Sequence, residues 1–188
     1  LESALRKKGK KDALKELKST NMDSGAIAYV RQHKALGLGH AVWCARRLLS
    51  PKESFAVILP DDVIASEVPC LKQMVDAHME TGGNMVAAME VPDDKVSSYG
   101  VLDIKEDMGA VVSVKGMIEK PPAEEAPSNL AVIGRYILTP KVMNNLHEKK
   151  TGAGGEIQLT DAIARDIDET GAVFGFRFRG QRFDCGSK

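Results

Sequence analysis

The residue pattern predicts an α/β fold: a Rossmann-like mixed, mainly parallel sheet flanked by helices. Two observations carry that expectation. Two continuous apolar runs, FAVILP (residues 55–60) and NMVAAMEV (84–91), suit strands covered on both faces. The stretch between them, residues 69–81, has helical composition, so strand, helix and strand alternate as in a sheet with right-handed crossovers. A chain of 188 residues is long enough for one domain with a real core.

In chain order, residues 1–18 (LESALRKKGKKDALKELK) are rich in helix formers but very basic and interrupted by Gly9, which predicts one broken helix or two short ones. Residues 26–32 (AIAYVRQ) read as a strand, and GLGHAVWCARRLL as a helix opening at a glycine-rich turn. After the strand at 84–91 the character changes. Residues 100–104, 110–119 and 131–138 read as strands with little helix between them. Residues 140–147 and 158–169 read as helices, and a last strand pair is expected around 173–183. The segments 121–129 (PPAEEAPSN) and 148–155 (EKKTGAGG) have loop composition. No internal repeat is present.

Lys plus Arg number 26 and Asp plus Glu number 26, so no net field draws the chain to nucleic acid or to an anionic membrane. Any bound anion must be held by local geometry. Aromatics make up 5%, with one tryptophan, Trp43, which argues against a base-stacking RNA module. The three cysteines, Cys44, Cys70 and Cys185, form no metal-binding spacing and read as free thiols of a reducing, cytoplasmic compartment. No apolar run approaches the roughly 18 residues of a membrane span.

Four constellations can carry chemistry. In VILPDD (57–62) an apolar strand delivers carboxylates to a sheet edge, where α/β proteins bind ligands. Asp61 or Asp62 there would be a hard oxygen ligand for Mg²⁺, or would cap the following turn. In VRQHKALGLGHAV (30–42), Gly37 and Gly39 let backbone approach a ligand as a helix begins, or simply form a strand–turn–helix junction. The spacing is neither a Walker loop nor a dinucleotide fingerprint, which argues against a Rossmann oxidoreductase. In IEKPP (118–122), Glu119 can accept sugar hydroxyls and Lys120 can neutralise a phosphate; surface charge is the other reading. In RFDCGSK (182–188), Asp184 follows an apolar strand and is a second candidate Mg²⁺ ligand.

Taken together, VRQHKALGLGHAVWCA, VILPDD, SSYGVLDI, VKGMIEKP, AVIGRYIL, GGEIQLTDAI and FDCGSK resemble, in order, the blocks of bacterial UTP–glucose-1-phosphate uridylyltransferases, a branch of the sugar nucleotidyltransferases. The resemblance covers residues 30–188. It implies the nucleotide-diphospho-sugar transferase fold, with 1–25 a basic helical segment, 26–91 a nucleotide-binding βαβ part and 92–188 a sugar-binding part of one partial domain. The matching positions imply that Gln32 reads the uracil edge and Gly37 lies against base and ribose. They imply that Asp61 and Asp184 bind Mg²⁺, that Lys120 holds the sugar phosphate, and that Gly100, Glu119, Gly134 and Glu156 lie on the sugar side. His40, Cys185 and Lys188, inside the same blocks, read as structural.

The implied reaction joins UTP and glucose 1-phosphate to give UDP-glucose and pyrophosphate. The implied partners are those small molecules, Mg²⁺ and further copies of the full-length chain in a dimer or tetramer, with no nucleic acid and no membrane. Two other readings share the motifs: a thymidylyl- or adenylyltransferase, and a non-catalytic module that binds a sugar nucleotide. The family's GxGTRxxP loop and C-terminal helix do not occur in these residues. The fold is therefore expected to be truncated at both ends, and these residues alone are expected to turn over little substrate.

Overall fold

A computed structural model describes residues 1–186 of the chain, and Lys188 therefore lies outside the described residues. Two compact units divide it, Leu1–Arg31 and a larger one beginning at Gln32. The small unit holds helices α1 (Glu2–Lys7) and α2 (Lys11–Ser19), so the basic segment is two short helices broken at Gly9, whose φ is +64°. Neither helix has a buried residue. Residues 26–32 do not form the expected strand. Alternation alone does not make one: a strand exists through a neighbour's hydrogen bonds, and no described strand pairs with this segment.

In chain order the larger unit contains α3 (Leu38–Cys44), β1 (Phe55–Ile58), β2 (Asp62–Ala65), α4 (Cys70–Thr81), β3 (Asn84–Glu90), β4 (Gly100–Asp107) and β5 (Val111–Glu119). There follow β6 (Leu130–Leu138), α5 (Pro140–His147), α6 (Leu159–Thr170), β7 (Val173–Arg177) and β8 (Gln181–Asp184). Six strands form one mixed sheet in the order β1-β6-β3-β7-β5-β4, while β2 and β8 make a separate ribbon. The sheet is mixed, as expected, but its parallel share is small. Only β3 and β7 pair in parallel; every other pairing among the described strands is antiparallel.

The reason is β6. Strands β1 and β3 run in the same direction but do not touch, because β6 inserts between them and hydrogen-bonds both. All of β6 except Arg135 is buried, which a strand needs to occupy the middle of a covered sheet. By contrast β1 pairs only with β6, and its burial alternates along the strand, leaving Ile58 half exposed. The continuous apolar run at 55–60 is thus not covered on both faces.

Period-two alternation in β3 explains the layers. Val86 and Ala88 face a core built with α3, α5 and α6, including Leu138, Leu146, Leu159 and Ile163. Met85 and Ala87 face the opposite side, where Cys70 and Met74 of α4 close a second core with Ile133 and Ile137. Each fully buried Leu or Ile contributes about 1.5–3 kcal/mol by leaving water. Pro140 at the first turn of α5 and the left-handed Gly171 after α6 mark helix ends that local chemistry dictates.

The last two strands do not pair with each other as expected. Between them Gln73 of α4 acts like a strand edge: its Nε2 donates to Arg179 O at 2.8 Å and its Oε1 accepts Arg179 N–H at 2.9 Å. The chain then turns at Gly180, where a Cβ would lie 2.7 Å from Ala65 O. This carries β8 away from β7 and onto β2.

Candidate active site

A cavity of about 170 Å³ opens in the larger unit, lined among others by Leu38, Asp62, Tyr99, Gly100, Glu119, Gly134, Tyr136 and Thr160. Its shape depends on missing side chains. At Gly100 a Cβ would meet Thr160 Cγ2 at 2.9 Å, and at Gly134 it would meet Asp62 Oδ2 and Leu59 Cβ, both at 2.7 Å. Thr160 Oγ1 donates to Glu119 Oε2 at 2.9 Å, which fixes that carboxylate beside Gly100. Burial, with the charges of Glu119, Asp62 and Asp61 adding to it, pushes the Tyr136 phenol upward and keeps it neutral.

The adjacent residue Lys120 has φ +48°, unusual outside glycine, and it precedes Pro121. Its N–H donates to Tyr99 O at 3.0 Å, and its exposed side chain makes no ion pair among the described residues. Strain of this kind costs on the order of 1–3 kcal/mol and gathers at functional positions.

The two aspartates of the VILPDD turn have opposite fates. Asp62 is buried: its Oδ2 accepts Gly134 N–H at 2.8 Å, and its Oδ1 accepts Arg182 at 2.5 Å. Asp61 is exposed, and its carboxylate accepts no hydrogen bond among the described residues. Arg135 grips the turn from below by donating to the carbonyls of Leu59 and Asp62. On the ribbon, Asp62 lies directly opposite Asp184, and Cys185 N–H donates to Asp61 O at 2.8 Å. A Cβ at Gly186 would sit 2.9 Å from Asp61 Oδ2 and 3.4 Å from Asp184 Oδ1, so both carboxylates face one point. Asp184 also accepts Gly186 N–H at 2.9 Å and Arg182 Nη2 at 3.3 Å.

The glycine-rich turn has a structural demand of its own. Gly37 has φ +99°, and a Cβ there would lie 2.8 Å from both Glu156 Cβ and Ile157 O. Gly39 N–H donates to Ile157 O at 2.9 Å, and Ile157 N–H to Leu36 O at 2.8 Å, so the start of α3 is laced to residues 156–158. Gln32 Nε2 donates to Gly37 O at 3.1 Å and lies 2.9 Å from His40 Nδ1, while His40 stacks on Trp43. Glu156 is exposed and accepts Gln158 Nε2 at 3.3 Å.

Hence Gly100, Glu119 and Gly134 line the cavity, Lys120 and Asp61 adjoin lining residues, and Asp184 is the strand partner of one. Gln32, Gly37 and Glu156 do not line it: Gly37 precedes the lining residue Leu38 and accepts Gln32 Nε2, and Glu156 accepts the lining residue Gln158. Sequence reasoning weighed Asp62 only as an alternative to Asp61, and it missed Tyr99, Thr160, Arg135 and Arg182. Their only signal was position inside the quoted motifs.

Several known proteins are similar to this chain. The nucleotidyl transferase family model matches residues 5–188. A UTP–glucose-1-phosphate uridylyltransferase of Komagataeibacter xylinus is 46% identical over 100% of this chain and 66% of its own length. The Bacillus subtilis (strain 168) protein of the same name is 43% identical over 100% of this chain and 63% of its own. This chain therefore spans just under two thirds of those relatives. Among solved structures, UDP-glucose pyrophosphorylase complexed with UDP-glucose superposes with a TM-score of 0.88 at 41% identity, covering 96% of this chain and 68% of that one. UTP-bound UGPase from Acinetobacter baumannii gives 0.84 at 38% identity, covering 100% and 65%. The chain belongs to the nucleotidyl transferase family.

Proposed function

We propose that this chain carries the sugar and metal sides of a site that transfers uridylyl from UTP to glucose 1-phosphate. An oxygen of the sugar phosphate attacks the α-phosphorus of UTP; the bond from that phosphorus to the oxygen bridging to the β-phosphate breaks, and pyrophosphate leaves. The attacking oxygen is already anionic, so no general base is needed, and positioning with charge neutralisation does the work. The observation that carries this reading is the meeting of two unlike features at one place: a glycine-cleared cavity bearing Glu119, and the Asp61/Asp184 carboxylates beside it. The uridylyltransferase activity of the relatives' name, and the UDP-glucose and UTP bound in the solved neighbours, agree with it.

The donor set fits a magnesium ion. Asp61 has its lone pairs open, Asp184 retains part of its own, and both offer hard oxygen. No group of three or more metal-type side chains occurs among the described residues, so the remaining ligands would be oxygens of substrate and water. Asp61 and Asp184 would hold Mg²⁺, which would supply charge neutralisation for the phosphates. Lys120 holds the sugar phosphate as a point charge, its backbone pinned by Tyr99 and Pro121. Glu119, fixed by Thr160, accepts sugar hydroxyls over Gly100. Gln32 and Gly37 receive the base.

Calorimetry against UDP-glucose, dTDP-glucose and ADP-glucose, each with and without Mg²⁺, tests the proposal. UDP-glucose should bind at least tenfold more tightly than the other two, and more tightly with Mg²⁺. Equal affinity for all three would remove the uridylyl assignment, and no binding of any would remove the site.

A further inference from the structure

Between the cavity and the carboxylate pair lies a side chain that joins them. Arg182, on β8, has a side chain only 12% exposed, as does its partner Asp62. Its Nε donates to Asp62 Oδ1 at 2.5 Å, its Nη1 to the Tyr99 hydroxyl at 3.1 Å, and its Nη2 to Asp184 Oδ2 at 3.3 Å. The guanidinium also lies over the Tyr99 ring, 5.3 Å from its centroid. One cation thus touches two residues that line the cavity and one carboxylate that faces the proposed metal position.

We infer that Arg182 is a positioning residue that aims Asp184, and with it Asp61, by locking the β2–β8 ribbon to the cavity wall. This inference rests on the assignment of Asp61 and Asp184 as metal ligands. Three aspartates, at 61, 62 and 184, crowd the end of the ribbon. Arg182 binds the buried one closely as a charge-assisted partner, touches Asp184 through one longer contact, and leaves the Asp61 carboxylate for a cation. The planar fork matters as well as the charge, since one rigid group must satisfy Asp62, Asp184 and Tyr99 from three directions. Asp62 completes the lock by accepting Gly134 N–H, which ties the ribbon to β6, an interior strand of the main sheet. Outer-shell partners of this kind typically change metal affinity 10–100-fold when removed.

Direct Mn²⁺ titration of the chain without nucleotide, with free ion counted by its electron paramagnetic resonance signal, is the test. Arg182→Lys keeps the charge and loses the fork; a fall of about tenfold or more in Mn²⁺ affinity is expected, with circular dichroism unchanged. A folded Arg182→Lys protein that binds Mn²⁺ within twofold of the original chain overturns the inference. If that variant does not fold, Tyr99→Phe decides, since it removes one hydrogen bond and no charge. A fall of roughly two- to tenfold is expected of it, and unchanged affinity overturns the positioning role. Absence of saturable Mn²⁺ binding to the original chain is a different result: it removes the underlying metal assignment.

Discussion

Adjacent residues of one type can serve opposite purposes, and burial decides which. Asp62 is enclosed with Arg182 as its counter-charge, whereas Asp61 stands in solvent. Replacing Asp62 with Ala leaves a buried guanidinium without its main partner, which costs on the order of 3 kcal/mol. Asp61→Ala should change stability by no more than about 0.5 kcal/mol but should abolish Mn²⁺ binding. Urea unfolding of both variants checks the first pair of outcomes; equal losses would mean that the two aspartates are not divided in this way. The doublet itself was legible in the sequence, and so was Asp184 at the end of an apolar strand. The division of labour was not, because it depends on Arg182, 120 positions from Asp62 and 83 from Tyr99. Nothing local to RFD or SSYG announces that contact.

At the level of elements, the readable parts were those whose formation is local. Helices α4, α5 and α6 and strands β3 to β6 lie close to where periodicity, Pro140 and the glycine turns put them. What escaped was pairing: β6 between β1 and β3, and β8 leaving β7 for β2, are choices made by distant partners. One local signal does carry a non-local demand. Gly37→Ala combines a left-handed backbone with a Cβ 2.8 Å from Ile157 O, and neither neighbour is a flexible tip. We expect a loss of about 1–3 kcal/mol, seen as a lower denaturation midpoint, with weaker UDP-glucose binding; an unchanged midpoint would mean that the α3 start does not need glycine. Helix α4 offers a pH test. Burial pushes the Cys70 thiol up from 9.0 to about 11, so folding favours its protonated form. Its contribution is complete below pH 9.0 and is lost as pH rises towards about 11. Cys70→Ala should therefore show a smaller stability deficit at pH 10.5 than at pH 8. A deficit independent of pH would mean that burial does not perturb this thiol.

For the molecule as a whole, a formal charge of zero removes long-range attraction, so ligand affinity must come from the cavity and its rim. No helix among the described residues is long and apolar enough to cross a membrane. A ligand that binds only the folded state raises stability by mass action, about 2.7 kcal/mol at one hundred times its Kd. For a chain of this length that corresponds to roughly 5–10 °C in Tm. UDP-glucose should produce a shift of that order, because its sugar would rest over Gly100 and Glu119 and its base against Gly37. Mg²⁺ should enlarge the shift, since Asp61 and Asp184 would hold it beside the cavity. Asp61→Ala and Asp184→Ala should each retain the metal-free shift and lose the enlargement, since neither residue builds the cavity itself. Differential scanning calorimetry of the three proteins, with UDP-glucose and with or without Mg²⁺, reads both components in one experiment. A full Mg²⁺-dependent increment in either variant would take that carboxylate out of the metal site. Loss of the metal-free shift would instead mean that the ribbon end and the sugar cavity form one inseparable unit.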